Sequence, residues 1–229
     1  MKIYFDGCSW TKGEELENRK EERYSRLVCD KLGAEEVNLA RCGGSNDRII
    51  RNLMIEYDIT KYDMAVIQMT FPARTEYFYE RETDRGWSAI TGRTKYYTPE
   101  EYKKDENWVR VNPKSNYHKW LYKGKLTSLN KTVDRLSEKF LDHSTFWTDY
   151  YKNVMNEKYF DTKENIHMQT IRNHCKVNNI PLILTSINKW TKQTFDILLD
   201  KSSLPVHAYG HPTKEGHRMI ADKIVRMAK

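Results

Sequence analysis

The sequence is short of several features that would assign it to a class at once. Its four cysteines, Cys8, Cys29, Cys42 and Cys175, include no C-x-x-C pair, so neither a zinc site nor a disulfide framework is encoded, and free thiols in a reducing compartment are expected. No apolar run approaches the length of a membrane span, which excludes a helical membrane protein. The N-terminus lacks the basic stretch, apolar core and small-residue cleavage site of a secretory signal, so a cytoplasmic location is expected. Internal repeats, heptad arrays and low-complexity tracts are missing as well, which leaves out solenoids, coiled coils and disordered segments. With no metal-ligand spacing present, no metal or cofactor is expected.

What is present reads as a soluble globular chain. At 229 residues, with a hydrophobic fraction of 38% and a charged fraction of 31%, it is long enough to bury a core as one domain spanning 1–229. The formal charge of +7 favours anionic partners. Nucleic acid is one such partner, although no recognised binding module accompanies the charge.

Apolar patterning gives alternating strands and helices. Lys2 to Phe5 reads as a strand, and Glu21 to Leu32 as a helix with Tyr24, Leu27 and Val28 on one face. Val37 to Ala40 reads as a second strand, followed by the small-residue turn Cys42-Gly43-Gly44. Ser45 is a good N-cap for a helix through Glu56 that would turn Ile49, Ile50, Leu53 and Met54 inward. Met64 to Met69 is a near-continuous apolar run, the pattern of a buried parallel strand. Later segments read as helices at 127–159 and 162–177 (Ile166, Thr170, Ile171 and His174 on one side) and a strand over 181–186. A helix over 193–199, a short fifth strand at 205–207 and a helix over 213–228 with Met219, Ile220, Ile224 and Met227 inward complete the chain. The consistent architecture is a three-layer α/β/α sandwich on a parallel sheet of four to five strands. Right-handed crossovers would bring Gly7-Cys8-Ser9, Cys42-Gly43-Gly44 and Met69-Thr70 to one sheet edge.

One stretch breaks this rhythm. From Phe71 to Lys125 lie 12 aromatic residues and 12 Lys or Arg with no clear period. An insertion or lid over 71–160, after the third strand, is the natural reading, because long irregular segments in compact domains usually serve function. Its aromatic and basic side chains suit sugar rings, anionic glycan or single-stranded nucleic acid.

The chemistry sits at the two ends. Strand β-formers stop at Gly7-Cys8-Ser9, which leaves a thiol and a hydroxyl at the carboxyl edge of the sheet, where open α/β folds keep their sites. Either side chain is a nucleophile candidate on position alone. A serine needs a base, and His211, in a Gly-His-Pro turn before a helix, would hang from a loop in a suitable place. His217 falls within the helix and reads as a surface or packing residue; His207 lies on a strand-like segment.

These residues resemble the blocks of the GDSL or SGNH hydrolase family. Gly7-Cys8-Ser9-Trp10-Thr11-Lys12-Gly13 is similar to its first block, Asn38-Leu39-Ala40-Arg41-Cys42-Gly43-Gly44-Ser45 to its second, and His211-Pro212 with Gly216 to its last. The resemblance covers roughly residues 1–74 and 181–229. It implies a flavodoxin-like, SGNH-hydrolase-like domain in which Ser9 rather than Cys8 is the nucleophile and His211 the base. The Ser9 and Gly43 N–H groups would then line an oxyanion hole, with Gly44 the close second to Gly43. Two blocks depart from the family. Gln68-Met69-Thr70-Phe71 stands where the family carries Gly-x-Asn-Asp, so Thr70, Asn46 or Arg74 would have to supply the missing donor. The acid expected three residues before the histidine is Ala208, and the residue two before it is Tyr209. A Ser-His dyad, an acid from elsewhere and an inactive site all fit the sequence. The implied activity is a carboxylic ester hydrolase, an acylesterase or deacetylase acting on a small-molecule or carbohydrate ester such as an O-acetylated sugar. The alternative is a catalytically impaired protein of the same fold that binds nucleic acid, glycan or a protein partner.

Overall fold

The computed structural model describes residues 1–78, 108–111, 157–189 and 191–229. Strand β1 (Lys2–Asp6) leads into a single helical turn, α1 (Ser9–Lys12), then α2 (Arg19–Glu22) and α3 (Tyr24–Leu32). β2 (Glu35–Asn38) is followed by α4 (Asn46–Arg51), which a π turn over Asn52–Glu56 prolongs. Ser45 caps α4 by accepting the Arg48 N–H at 3.1 Å, as its sequence position suggests. β3 (Met64–Met69) comes next, then β4 (Thr75–Phe78) and β5 (Trp108–Val111), which pair antiparallel with each other. The chain ends with α5 (Glu157–Val177), β6 (Leu182–Ser186), β7 (Ile197–Leu198), a 3-10 turn at Lys201–Ser203 and α6 (Lys214–Ala228).

The main sheet runs β2-β1-β3-β6-β7 and every pairing in it is parallel. Strand alternation divides the core into two layers. Ile3, Phe5, Val66 and Ile183 face Tyr24, Val28 and Cys29 of α3 and Ile220, Ala221 and Ile224 of α6. Tyr4, Ala65, Ile67 and Leu184 face Ile49 of α4, Leu53 of the π turn, and Met168, Ile171 and Cys175 of α5. Helices therefore cover both faces, which is why β3 is buried along its whole length and its sequence is apolar except for Gln68. The fold is the expected three-layer α/β/α sandwich. No described helix is long and apolar enough to cross a membrane.

Several elements differ from the sequence reading. β2 begins at Glu35, two residues before the expected start, because its register against β1 pairs Lys2 with Glu35. The fifth strand is Ile197–Leu198, inside the segment read as a helix; its neighbour β6 supplies the pairing that two residues cannot signal by period. Val206 instead makes an isolated bridge to Pro212. Met54, Met227 and Ile166 are exposed, and α5 turns Phe160, Glu164, His167, Met168, Ile171 and Cys175 inward instead of the face through Ile166. That helix starts at Glu157, earlier than expected. The helix expected over 127–159 and most of the 71–160 insertion lie outside the described residues.

Candidate active site

The site begins where β1 ends. Gly7 is needed there because a Cβ would run into the Thr11 hydroxyl and Gln68. The Thr11 hydroxyl donates to Gln68 Oε1 at 2.8 Å and shares a 2.7 Å hydrogen bond with the Tyr24 hydroxyl, fixing α1 to β3 and α3. Ser9 opens α1, so its backbone N–H is one of the first-turn donors that no helical carbonyl can satisfy. Asn38 ties the neighbouring strand end to the same turn by donating to the Thr11 carbonyl at 2.9 Å.

The His211 ring reaches Ser9 from the far end of the chain. Its Nε2 lies 2.9 Å from Ser9 Oγ. A tight loop holds the ring: the His207 N–H donates to the His211 carbonyl and the Gly210 N–H to the His207 carbonyl, each at 2.8 Å. On the other side, His211 Nδ1 meets Glu15 Oε2 at 2.6 Å, and the same oxygen accepts the His211 backbone N–H at 3.3 Å. Burial works to raise the Glu15 pKa, but those His211 donors and the histidine charges outweigh it and hold the carboxyl below its ordinary value. Glu15 is thus placed to stay ionised, keep Nδ1 protonated and leave Nε2 free to accept the Ser9 proton.

Glu15 is the residue that sequence reasoning missed. The family pattern places an acid just before the histidine, at Ala208 and Tyr209, whereas the carboxylate that faces His211 belongs to Glu15, six positions beyond the serine in the loop after α1. Its backbone takes a left-handed conformation, φ 70°, which is uncommon for a residue with a Cβ and clusters at functional sites. The one sequence signal was the acidic Glu14-Glu15 pair directly after Gly13.

The second block lies alongside. The Arg41 N–H donates to the Gly7 carbonyl at 3.2 Å, and the Gly44 N–H donates back to the Arg41 carbonyl at 2.9 Å. Gly44 is therefore committed to its own turn. Gly43, at φ 72°, is the glycine of this turn whose N–H makes no hydrogen bond among the described residues. Asn46 does not reach this space. Its amide nitrogen donates to the Thr70 carbonyl at 3.0 Å and its oxygen accepts the Thr70 N–H at 2.8 Å, so both ends of the side chain pin the loop after β3. Thr70 is fully buried, and its hydroxyl accepts from Arg74 Nη1 at 2.7 Å. These two residues, expected as oxyanion donors, form a supporting wall.

The remaining candidates have structural settings. Cys8 is fully buried, with its sulfur 3.4 Å from Gln68 Nε2 and 3.9 Å from Ser9 Oγ. Burial pushes its thiol pKa up, but the Arg74 charge, the Trp10 N–H and the Gln68 and Ser9 side chains bring it below the ordinary value. His217 is buried against Tyr24, with ring centroids 5.8 Å apart, and its Nδ1 accepts the Tyr24 N–H at 3.1 Å. Burial, with the nearby His207 and His211, drops its pKa to about 3, as suits a neutral packing residue. Among the described residues, no group of three His, Cys, Asp or Glu side chains is arranged to hold a metal ion.

No family model and no curated protein sequence matches the chain. Among solved structures, it is similar to the psychrotrophic esterase EstA from a Pseudoalteromonas species at 12% identity over 98% of this chain and 94% of that one, with a TM-score of 0.41. A protein of the G-D-S-L family from Desulfitobacterium hafniense matches at 10% identity over 98% of each chain, TM-score 0.37. An acetyl xylan esterase, AlAXEase, matches at 14% identity over the whole of both chains, TM-score 0.37.

Proposed function

We propose that this chain is a serine ester hydrolase of the SGNH type, with Ser9 as nucleophile, His211 as general base and Glu15 as the acid that orients the histidine. The observation that supports it is the continuous path from Glu15 Oε2 through both ring nitrogens of His211 to Ser9 Oγ, at 2.6 and 2.9 Å. Distances of this size are those at which a base can take a nucleophile's proton.

In this reading the ester carbonyl carbon docks against Ser9 Oγ. His211 Nε2 takes the hydroxyl proton as Oγ bonds to that carbon, and the carbonyl π electrons move onto oxygen. The backbone N–H groups of Ser9 and Gly43 donate hydrogen bonds to the resulting oxyanion. Collapse of the tetrahedral intermediate breaks the ester C–O bond, and His211 gives its proton to the departing alkoxide. A water molecule, deprotonated by His211, then attacks the acyl-serine carbon, releasing the carboxylic acid and restoring Ser9. Glu15 stays ionised throughout and stabilises the imidazolium.

The alternative of an impaired binding protein draws on a missing acid, a missing asparagine donor and the aromatic, basic insertion; a Glu15 carboxylate 2.6 Å from His211 Nδ1 favours the hydrolase reading on the first count. A small acyl ester is the substrate class, with O-acetylated carbohydrate among the candidates to assay. The test is labelling of the purified chain with a fluorophosphonate serine probe, alongside hydrolysis of 4-nitrophenyl acetate. Wild type should label and turn over the ester, and Ser9→Ala should lose both. Absence of labelling in well-folded wild type would overturn the proposal.

A further inference from the structure

Two cations lie near residues next to the candidate nucleophile and base, Arg74 acting on Cys8 and Lys201 touching Gly210, and the acyl-transfer steps make no use of either. Arg74, in the loop between β3 and β4, donates from Nη1 to Thr70 Oγ1 at 2.7 Å and lies 3.5 Å from the Gly44 carbonyl. Both partners are neutral. Its Nε–H is buried and has no acceptor among the described residues, and a buried donor left unpaired is costly unless a ligand completes it. Lys201 lays its ammonium against Gly210, so closely that a Cβ on that glycine would collide with it. Gly210 directly precedes His211. Lys201 forms no ion pair among the described residues.

These charges act on one another and on the site. Burial first, and then repulsion from Arg74 and Lys189, pull the Lys201 pKa below the ordinary lysine value, although Cys8 and Glu15 oppose this. The Arg74 charge is also the largest influence lowering the Cys8 thiol pKa, one residue from Ser9. Two positive charges, one carrying an unpaired donor, therefore lie near the candidate site, on which Glu15 is the facing negative charge. An arginine offers a planar fork for an oxyanion and a lysine adds a mobile point charge, the usual pairing for carboxylate, sulfate or phosphate.

We infer that Arg74 and Lys201 form an anion-binding subsite beside Ser9, so that the preferred ester carries a carboxylate, sulfate or phosphate group close to its scissile bond. This rests on the ester-hydrolase reading for the identity of the reacting bond, but the subsite can be tested without turnover. Two probes place the charge on different sides of the ester: 4-acetoxybenzoate on the alcohol, and the mono-4-nitrophenyl ester of succinate on the acyl group. Each is compared with its neutral methyl ester for binding to the Ser9→Ala protein by calorimetry, at low and high salt.

At least one anionic probe should bind about tenfold tighter than its methyl ester, and salt should weaken that preference. Arg74→Gln and Lys201→Gln, each added to Ser9→Ala, should cut the preference by about threefold or more. Lys61→Gln should keep it, since Lys61 precedes β3 at the opposite end of the sheet. Circular dichroism of every variant checks that it is folded. Equal binding of charged and neutral esters, or a preference that survives both substitutions, overturns the subsite. If the preference holds but intact protein hydrolyses none of the four esters, the subsite stands and the ester-hydrolase reading falls.

Discussion

At the residue scale, Glu15 carries the most information. Its carboxylate faces His211 while its backbone sits at φ 70°, a region that costs an L-residue roughly 1–2 kcal/mol. Function and local stability therefore pull in different directions at one position. Glu15→Gln keeps the side-chain shape but removes the charge that stabilises the imidazolium, so kcat should fall by on the order of 10²- to 10⁴-fold, read with an activated ester. Glu15→Ala and Glu15→Gly both delete the carboxylate and differ only in the backbone. The glycine variant should be the more stable of the two by about 0.5–1 kcal/mol in chemical denaturation, the reverse of the usual order within a helix or strand. Equal stabilities would show that the turn is unstrained.

At the scale of elements, the root of β4 is tied to the helices by a single carboxylate. Asp47, in the first turn of α4, accepts the Thr75 hydroxyl at 2.5 Å and pairs with Lys163 at 3.1 Å and His167 at 3.0 Å, both from α5. Burial would raise the Asp47 pKa, but His167 and Lys163 overcome it and bring it to about 2. A folded pKa below the unfolded one means that this stabilisation is complete above about pH 4 and is lost as the pH falls through 2. Its size is about 2 kcal/mol by linkage. Asp47→Asn should accordingly lower the unfolding free energy near pH 6, and its difference from wild type should narrow steadily as the pH is taken from 5 toward 2. A gap independent of pH would remove the electrostatic account of this joint. Arg74 directly precedes Thr75, so the same joint bears on the placement of the proposed anion subsite.

At the scale of the whole molecule, the sheet edge beneath the site is held by a charge buried in the core. Asp6, at the end of β1, accepts from Arg48 Nη1 at 3.0 Å, Asn52 Nδ2 at 2.8 Å and the Gly7 N–H at 2.7 Å. Arg48 also donates from Nη2 to the Leu39 carbonyl at 2.8 Å, so β1, the turn after β2 and α4 meet in one network. Both side chains of the ion pair are almost wholly excluded from water. Removing one partner would leave the other buried and uncompensated. Arg48→Met should cost about 3–5 kcal/mol in unfolding free energy; a loss below about 1 kcal/mol would mean that water reaches Asp6 and takes over the role.

The same scale shows what each level of description decided. β1, β3 and β6 were legible because strands covered on both faces are apolar through most of their length, and the cap Ser45 because a helix start needs a local acceptor. Ser9 and His211 stood out for a related reason: a small-residue turn after a strand and a Gly-His-Pro turn before a helix are local devices written in adjacent residues. The edge strand Ile197–Leu198 was not legible, since two residues carry no period and only β6 gives them a partner. Nor was the face of α5, where the sheet, not the spacing of Ile166 and His174, selects what is buried. Asn46 could not be read as a clamp on Thr70, nor Arg74 and Lys201 as neighbours of one site, because those pairings cross between elements far apart in the chain. Glu15 joins a histidine 196 positions away. The sequence by itself determined the alternation of elements, the layers and the identities of serine and histidine, all consequences of short-range periodicity and turn chemistry. Only the tertiary structure decided which carboxylate faces His211 and that Arg74 and Lys201 come near the same sheet edge, because those depend on distances that chain folding alone creates.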